Sequence, residues 1–156
     1  MTLPRLLLLA AGLALASFAA HAEPLTIEGA QVRAVPPGSN TSAAFMTLRN
    51  PSERDMILLA AKSPAAEVVE LHDHQNVDGV MQMRQVAQIV VPAGGSAELA
   101  PGGLHMMLIG LTAPLVEGEP VEIELQFESG DTQRLEAPVK RIVMENEGSL
   151  GHGQDQ

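Results

Sequence analysis

The chain has 156 residues, 9 Lys plus Arg against 19 Asp plus Glu, a net charge of −10, and no Cys, Trp or Tyr. That charge repels nucleic acid and anionic lipid, so neither is an expected partner. Without Cys there is no disulfide, no thiolate ligand and no His2Cys blue-copper set, so any metal site has to be built from His, Met and carboxylates.

The first residues, "MTLPRLLLLAAGLALASFAAHAEP", carry one basic residue (Arg5), an apolar run from Leu6 to Ala20, and Ala20-His21-Ala22. This order is that of a cleavable secretory signal peptide, expected over residues 1–22. The run is short for a membrane span, and no second span follows. No Cys follows it either, which removes the usual lipoprotein attachment point. The expectation is export to the periplasm, with loss of Arg5 leaving the mature chain one unit more negative.

From Leu25 onward, short runs rich in Val, Ile, Leu and Thr alternate with Pro, Gly and Asn signals at intervals of about ten residues, an all-β pattern. The predicted strands are Leu25 to Val35, Ala43 to Arg49, Asp55 to Ala61, Glu67 to His72 and Val80 to Val91, then Ser96 to Leu99, His105 to Leu111, Val121 to Phe127 and Gln133 to Val139. In "VEIELQF", Val121, Ile123, Leu125 and Phe127 face one way while Glu122, Glu124 and Gln126 face the other. Such strands predict an antiparallel Greek-key β-sandwich over residues 23–141. The tail, 142–156, has little to bury and is expected to be disordered.

Within this pattern "LHDHQNVDGVMQMRQ" reads as a hairpin. If Val77-Asp78 forms the loop, His72 lies opposite Met83. If Asp78-Gly79 forms it, His74 lies opposite Met83 and His72 is diagonal, and turn chemistry leans toward Asp-Gly. Either register brings an imidazole and a thioether within reach on one face. Asp73 and Asp78 stand near the histidines and are candidates to orient an imidazole, although Asp78 also suits a turn.

A second pair lies in "PGGLHMMLIGL". His105 and Met107 share a strand face about 7 Å apart, whereas Met106 points the other way and reads as core. Two His and two Met are therefore candidates to converge on one ion. The competing reading is that the methionines fill an apolar core and the histidines are hydrogen-bonded edge residues.

The pattern His72, ten residues, Met83, twenty-one residues, His105, one residue, Met107 resembles the copper-binding signature of the PCu(A)C periplasmic copper chaperones. The likeness extends through "VRAVPPGSNTSAAFMTLRN", "VELHDHQNVDGVMQMRQV", "VPAGGSAELAPGGLHMMLIGL" and "PLVEGEPVEIELQFESG", from about Leu25 to Val139. It implies a cupredoxin-like β-sandwich that binds Cu(I) through His72, Met83, His105 and Met107 at an exposed site. It further implies delivery to respiratory copper centres, with cytochrome c oxidase as recipient, through its dicopper subunit directly or through a Sco-type thiol protein. Two departures stand out. The block from Val32 lacks the family's aromatics, and the tail offers only Met144 and His152 where some relatives carry a His- and Met-rich extension.

The chemistry agrees with that implication, because neutral thioether sulfur suits Cu(I) and attracts Zn(II), Mg(II) or Ca(II) poorly. No Gly-x-Ser-x-Gly or His-Glu-x-x-His motif occurs, and the expectation is a binding protein, not an enzyme. Copper buffering at the same site, and a metal-free structural export module, are the other readings of the same residues.

Overall fold

A computed structural model describes residues 24–142. The signal-peptide reading of residues 1–22, and the tail from 143 onward with Met144 and His152, lie outside the described residues. Within them the chain forms ten strands and no helix. They are β1 (Thr26–Arg33), β2 (Thr41–Arg49), β3 (Met56–Lys62), β4 (Ala66–Val77), β5 (Val80–Gln85), β6 (Ile89–Val91), β7 (Ser96–Leu99), β8 (His105–Leu111), β9 (Pro120–Phe127) and β10 (Thr132–Lys140). Among the described residues no helix is long and apolar enough to cross a membrane.

Pairing runs β4-β8-β2-β1-β10-β9-β3, and β3 returns to β4 through Ala61 and Val69, so seven strands close into a flattened barrel. Strands far apart in sequence are thus neighbours, as Greek-key connections require. The expected antiparallel sandwich is present, with one departure: β1 and β10 pair in parallel through Val32 with Val139 and Arg33 with Lys140.

The alternation read in β9 is the observed one, with Val121, Ile123, Leu125 and Phe127 buried. These side chains meet Leu48, Leu58, Met106 and Leu108, which are fully buried inside the barrel. At about 25 cal/mol per Å2 of apolar surface removed from water, this cluster is the main stabilising element of a chain that has no disulfide. Strand β2 is exceptional in being buried on both faces from Ser42 to Met46. Its inward residues Ala44 and Met46 join the core, whereas Phe45 is buried on the outer side.

Two strand boundaries differ from expectation. The run Val80 to Val91 is not one strand but β5 and β6, because its two ends serve different partners: β5 pairs β4, and β6 pairs β3. The chain changes neighbours at residues 86–88, where the Val86 amide donates to the Leu71 carbonyl at 2.9 Å. Strand β4 in turn runs past His72 to Val77. Its first half is part of the barrel and its second half continues as an arm paired with β5.

Candidate metal centre

The arm turns at Asp78-Gly79, whose φ angles of 53° and 83° are the left-handed pair that a two-residue type I′ hairpin requires. Asp78 is therefore a turn former. Asn76 stabilises the turn by accepting a hydrogen bond from the Gly79 amide at 2.8 Å. This turn fixes the register: His74 lies opposite Met83 and His72 opposite Gln85, one of the two arrangements the sequence allowed. Asp73 pairs with Arg84 and, one residue from each histidine, falls on the opposite face of the arm.

On the other edge of β4, His72 lies opposite His105 and Glu70 opposite Met107. Cross-strand partners share a face, so His72, His74, Met83, His105 and Met107 all stand on the outer face of the barrel where the arm departs. The imidazole centroids of His72 and His74 are 5.7 Å and 5.2 Å from that of His105. Met83 is 45% exposed and Met106, one residue from Met107, is fully buried in the core as expected.

The ring nitrogens have assigned roles. A carboxylate only accepts, so the 2.7 Å bond between His72 Nε2 and Glu70 Oε2 requires a proton on Nε2 and, in the neutral ring, leaves the lone pair on Nδ1. That Nδ1 is buried and has no hydrogen-bond partner among the described residues. A buried polar atom without a partner is costly unless a ligand completes it, and a cation would do so. Glu70 thereby orients a histidine in the manner of a carboxylate–histidine–metal relay.

For His105 the roles are reversed. Its Nδ1 donates to the Gly103 carbonyl at 2.9 Å, which leaves the lone pair on Nε2. The loop that presents this carbonyl is a tight turn in which the Gly103 amide donates to Ala100 and Gly102 adopts a φ of 85°. His74 Nδ1 approaches the same carbonyl more weakly, at 3.4 Å. Burial pushes the His105 imidazole below the ordinary histidine value of 6.5, against the Gly103 hydrogen bond that raises it. His74, His72 and Arg33 lower it further by charge repulsion. A neutral ring is the form that binds a metal.

A cavity of about 460 Å³ opens on this face, with His74, Met83, His105 and Met107 in its wall. His72 is not part of that wall. Among the described residues no three His, Cys, Asp or Glu side chains are grouped so as to hold a metal ion by themselves, so a metal here needs thioether sulfur as well. Three imidazoles and two thioethers thus share one partly exposed face, neutral candidate donors of the kind suited to a soft, singly charged cation. Asp73 and Asp78 do not serve the histidines. Glu70 does, and the signal for it was the Glu70-x-His72 spacing, which puts both side chains on one strand face.

With this geometry the fold is that of a PCuAC domain. The structure described as "Copper-bound PCuAC domain from PmoF2" superimposes with a TM-score of 0.65 at 23% identity, over 78% of this chain and 97% of that one. The structure described as "Solution structure of CuI-DR1885 from Deinococcus Radiodurans" gives 0.64 at 39% identity, over 78% of this chain and 82% of that one. A family model described as "LpqE-like: Putative lipoprotein LpqE-like" matches residues 25–139, and the chain belongs to that family. It is also 35% identical to "Putative lipoprotein Lxx21020" of Leifsonia xyli subsp. xyli (strain CTCB07), over 84% of this chain and 78% of the relative.

Proposed function

We propose that this protein is an exported Cu(I) carrier of the periplasm that binds one ion through His72, Met83, His105 and Met107. It passes the ion by ligand exchange to a respiratory copper centre: the dicopper subunit of cytochrome c oxidase, or a Sco-type thiol protein. The observation that carries this reading is the unpartnered, buried Nδ1 of His72, held in the ligand tautomer by Glu70 beside His105. A relative 39% identical has been solved in a form named for Cu(I), which supports the same cargo here.

Neutral ligands suit a carrier. Thioethers hold Cu(I) without a proton to lose and cannot close into a disulfide in an oxidising compartment, while thiolates bind the same ion more strongly and draw it onward. The four residues act as ligands, and the only bonds exchanged in this function are the coordinate bonds from their nitrogen and sulfur atoms to the ion, each replaced by a bond to an acceptor ligand. Although the family's relatives are named as lipoproteins, this sequence contains no cysteine to carry a thioether-linked lipid. Export with cleavage of the signal peptide is the corresponding localisation.

The test is a Cu(I) titration of the mature protein against a competing chelator, repeated with Zn(II), on wild type and on His72→Ala and His74→Ala. One equivalent of Cu(I), far weaker Zn(II) binding and a larger loss for His72→Ala are expected. Equal losses for the two histidines would overturn the ligand assignment, and uptake of no Cu(I) would favour a metal-free export module. Mixing the loaded protein with a reduced dithiol acceptor separates delivery from storage: transfer whose rate rises with acceptor concentration is delivery, and copper retained against a stronger acceptor is storage.

A further inference from the structure

The cavity beside the metal centre, about 460 Å³, is far larger than one ion needs and falls in the range that takes a small molecule. Arg33 lines it, and so do the hydroxyl-bearing residues Ser39 and Thr41. The Arg33 guanidinium carbon sits 5.4 Å from the centre of the Phe45 ring, and Phe45 is only 3% exposed, so the cation rests on a fixed aromatic face. The backbone beneath is fixed as well: Ser42 Oγ donates to the Arg33 carbonyl at 2.7 Å, and Arg33 pairs with Lys140 across the parallel strands.

Among the described residues this cation has no carboxylate partner. Arg49, Arg134 and Arg141 each hold a glutamate at 2.8–2.9 Å, whereas Arg33, like Arg54, Arg84, Lys62 and Lys140, forms no salt bridge among the described residues, and of these Arg33 is the one that lines the cavity. In a chain with ten more negative than positive charges, a half-buried guanidinium left unpaired in a cavity is a site prepared for an anion from outside. The metal centre adds a second attraction, since a cation held by neutral ligands leaves its charge uncompensated.

We propose that the cavity binds a small organic carboxylate, of the size of a hydroxy acid or an amino acid. One carboxylate pairs with Arg33, and the rest of the molecule extends toward the side chains of the metal centre. Only that second half rests on the Cu(I) reading. The carboxylate shields the cargo's charge while copper is carried and leaves when a protein acceptor takes the ion.

The experiment is calorimetric titration of the apo mature protein with citrate, followed by the same titration of the Cu(I)-loaded protein. Saturable binding near or below about 1 mM is expected. Arg33→Gln should weaken it by about tenfold or more, with Arg33→Lys intermediate because it keeps the charge and loses the planar fork. A thermal melt of each variant checks that the barrel is intact. The loaded protein should bind citrate several-fold more tightly, and citrate should raise Cu(I) affinity by the same factor. No binding at about 10 mM citrate, or equal binding by wild type and Arg33→Gln, overturns the proposal. Equal affinity of apo and loaded protein overturns its second half. Failure of Cu(I) uptake leaves the apo result to be judged by itself, so the two readings fail separately.

Discussion

Glu70→Ala isolates the part of the site that no ligand list contains. The Glu70 carboxylate accepts from His72 Nε2 at 2.7 Å, a charge-assisted bond that fixes the tautomer and aims Nδ1. Loss of such a partner costs a metal site 10- to 100-fold in affinity, or about 1.4–2.7 kcal/mol. The Glu70 side chain is 30% exposed, so water replaces part of the bond and the expected loss is at the lower end, about tenfold. Glu70→Gln keeps an acceptor oxygen without the charge and should cost about half as much free energy, roughly threefold. The assay is competition for Cu(I) against a chromophoric chelator. Glu67→Ala serves as a charge-matched control, because it removes an exposed carboxylate of the same strand that is not bonded to His72. The reasoning is refuted if Glu70→Ala and Glu67→Ala bind Cu(I) equally, or if nitrogen NMR of the apo protein finds the His72 proton on Nδ1.

The methionines separate by face: Met106→Ala, at a fully buried core position, should lower stability by about 2–5 kcal/mol, and Met107→Ala should mainly weaken Cu(I) binding, read by denaturant melts and chelator competition on both. The lowered pKa of His105 gives a signed pH dependence. Its folded value lies below 6.5, so between the two values the unfolded chain binds more protons, and stability falls as pH drops from 6.5 through the folded pKa. An imidazole NMR titration of the apo protein should place the His105 midpoint below 6.5, and a midpoint at or above it would contradict the burial argument. Acid release of copper should likewise not begin at His105 when the pH passes 6.5. At Gly110, φ is +70° and an added Cβ would stand 2.9 Å from Glu67 Cγ, so Gly110→Ala should cost about 1–2 kcal/mol in backbone strain alone, measurable as a drop in denaturation midpoint.

Strand period and turn chemistry carried much of this structure into the sequence. The β9 alternation, the core position of Met106 and the shared face of His105 and Met107 all follow from side chains pointing alternately along a strand. The hairpin was legible down to two registers, and only the left-handed angles at Asp78 and Gly79 decided between them. What period and turns do not encode is which strands become neighbours. The pairing of His72 with His105 depends on β8 lying beside β4, and the stacking of Arg33 on Phe45 depends on β1 beside β2. The break between β5 and β6 was hidden for the same reason, because a run of apolar residues does not reveal that its halves have different partners.

Strand β2, buried on both faces, has a consequence for how long cargo stays. Phe45 packs beneath His105 from a strand that can shift only if the barrel core opens, so the wall that carries His105 and Met107 is stiff. Met83 instead rides on an edge strand with one neighbour, on an arm outside the barrel. The two halves of the proposed donor set thus belong to regions of different local stability: the arm can fray in brief, low-cost openings while the wall holds until global unfolding. On the proposed ligand set, residence time and melting temperature would be governed by separate residues, and a change at the hairpin tip would shorten the one without lowering the other.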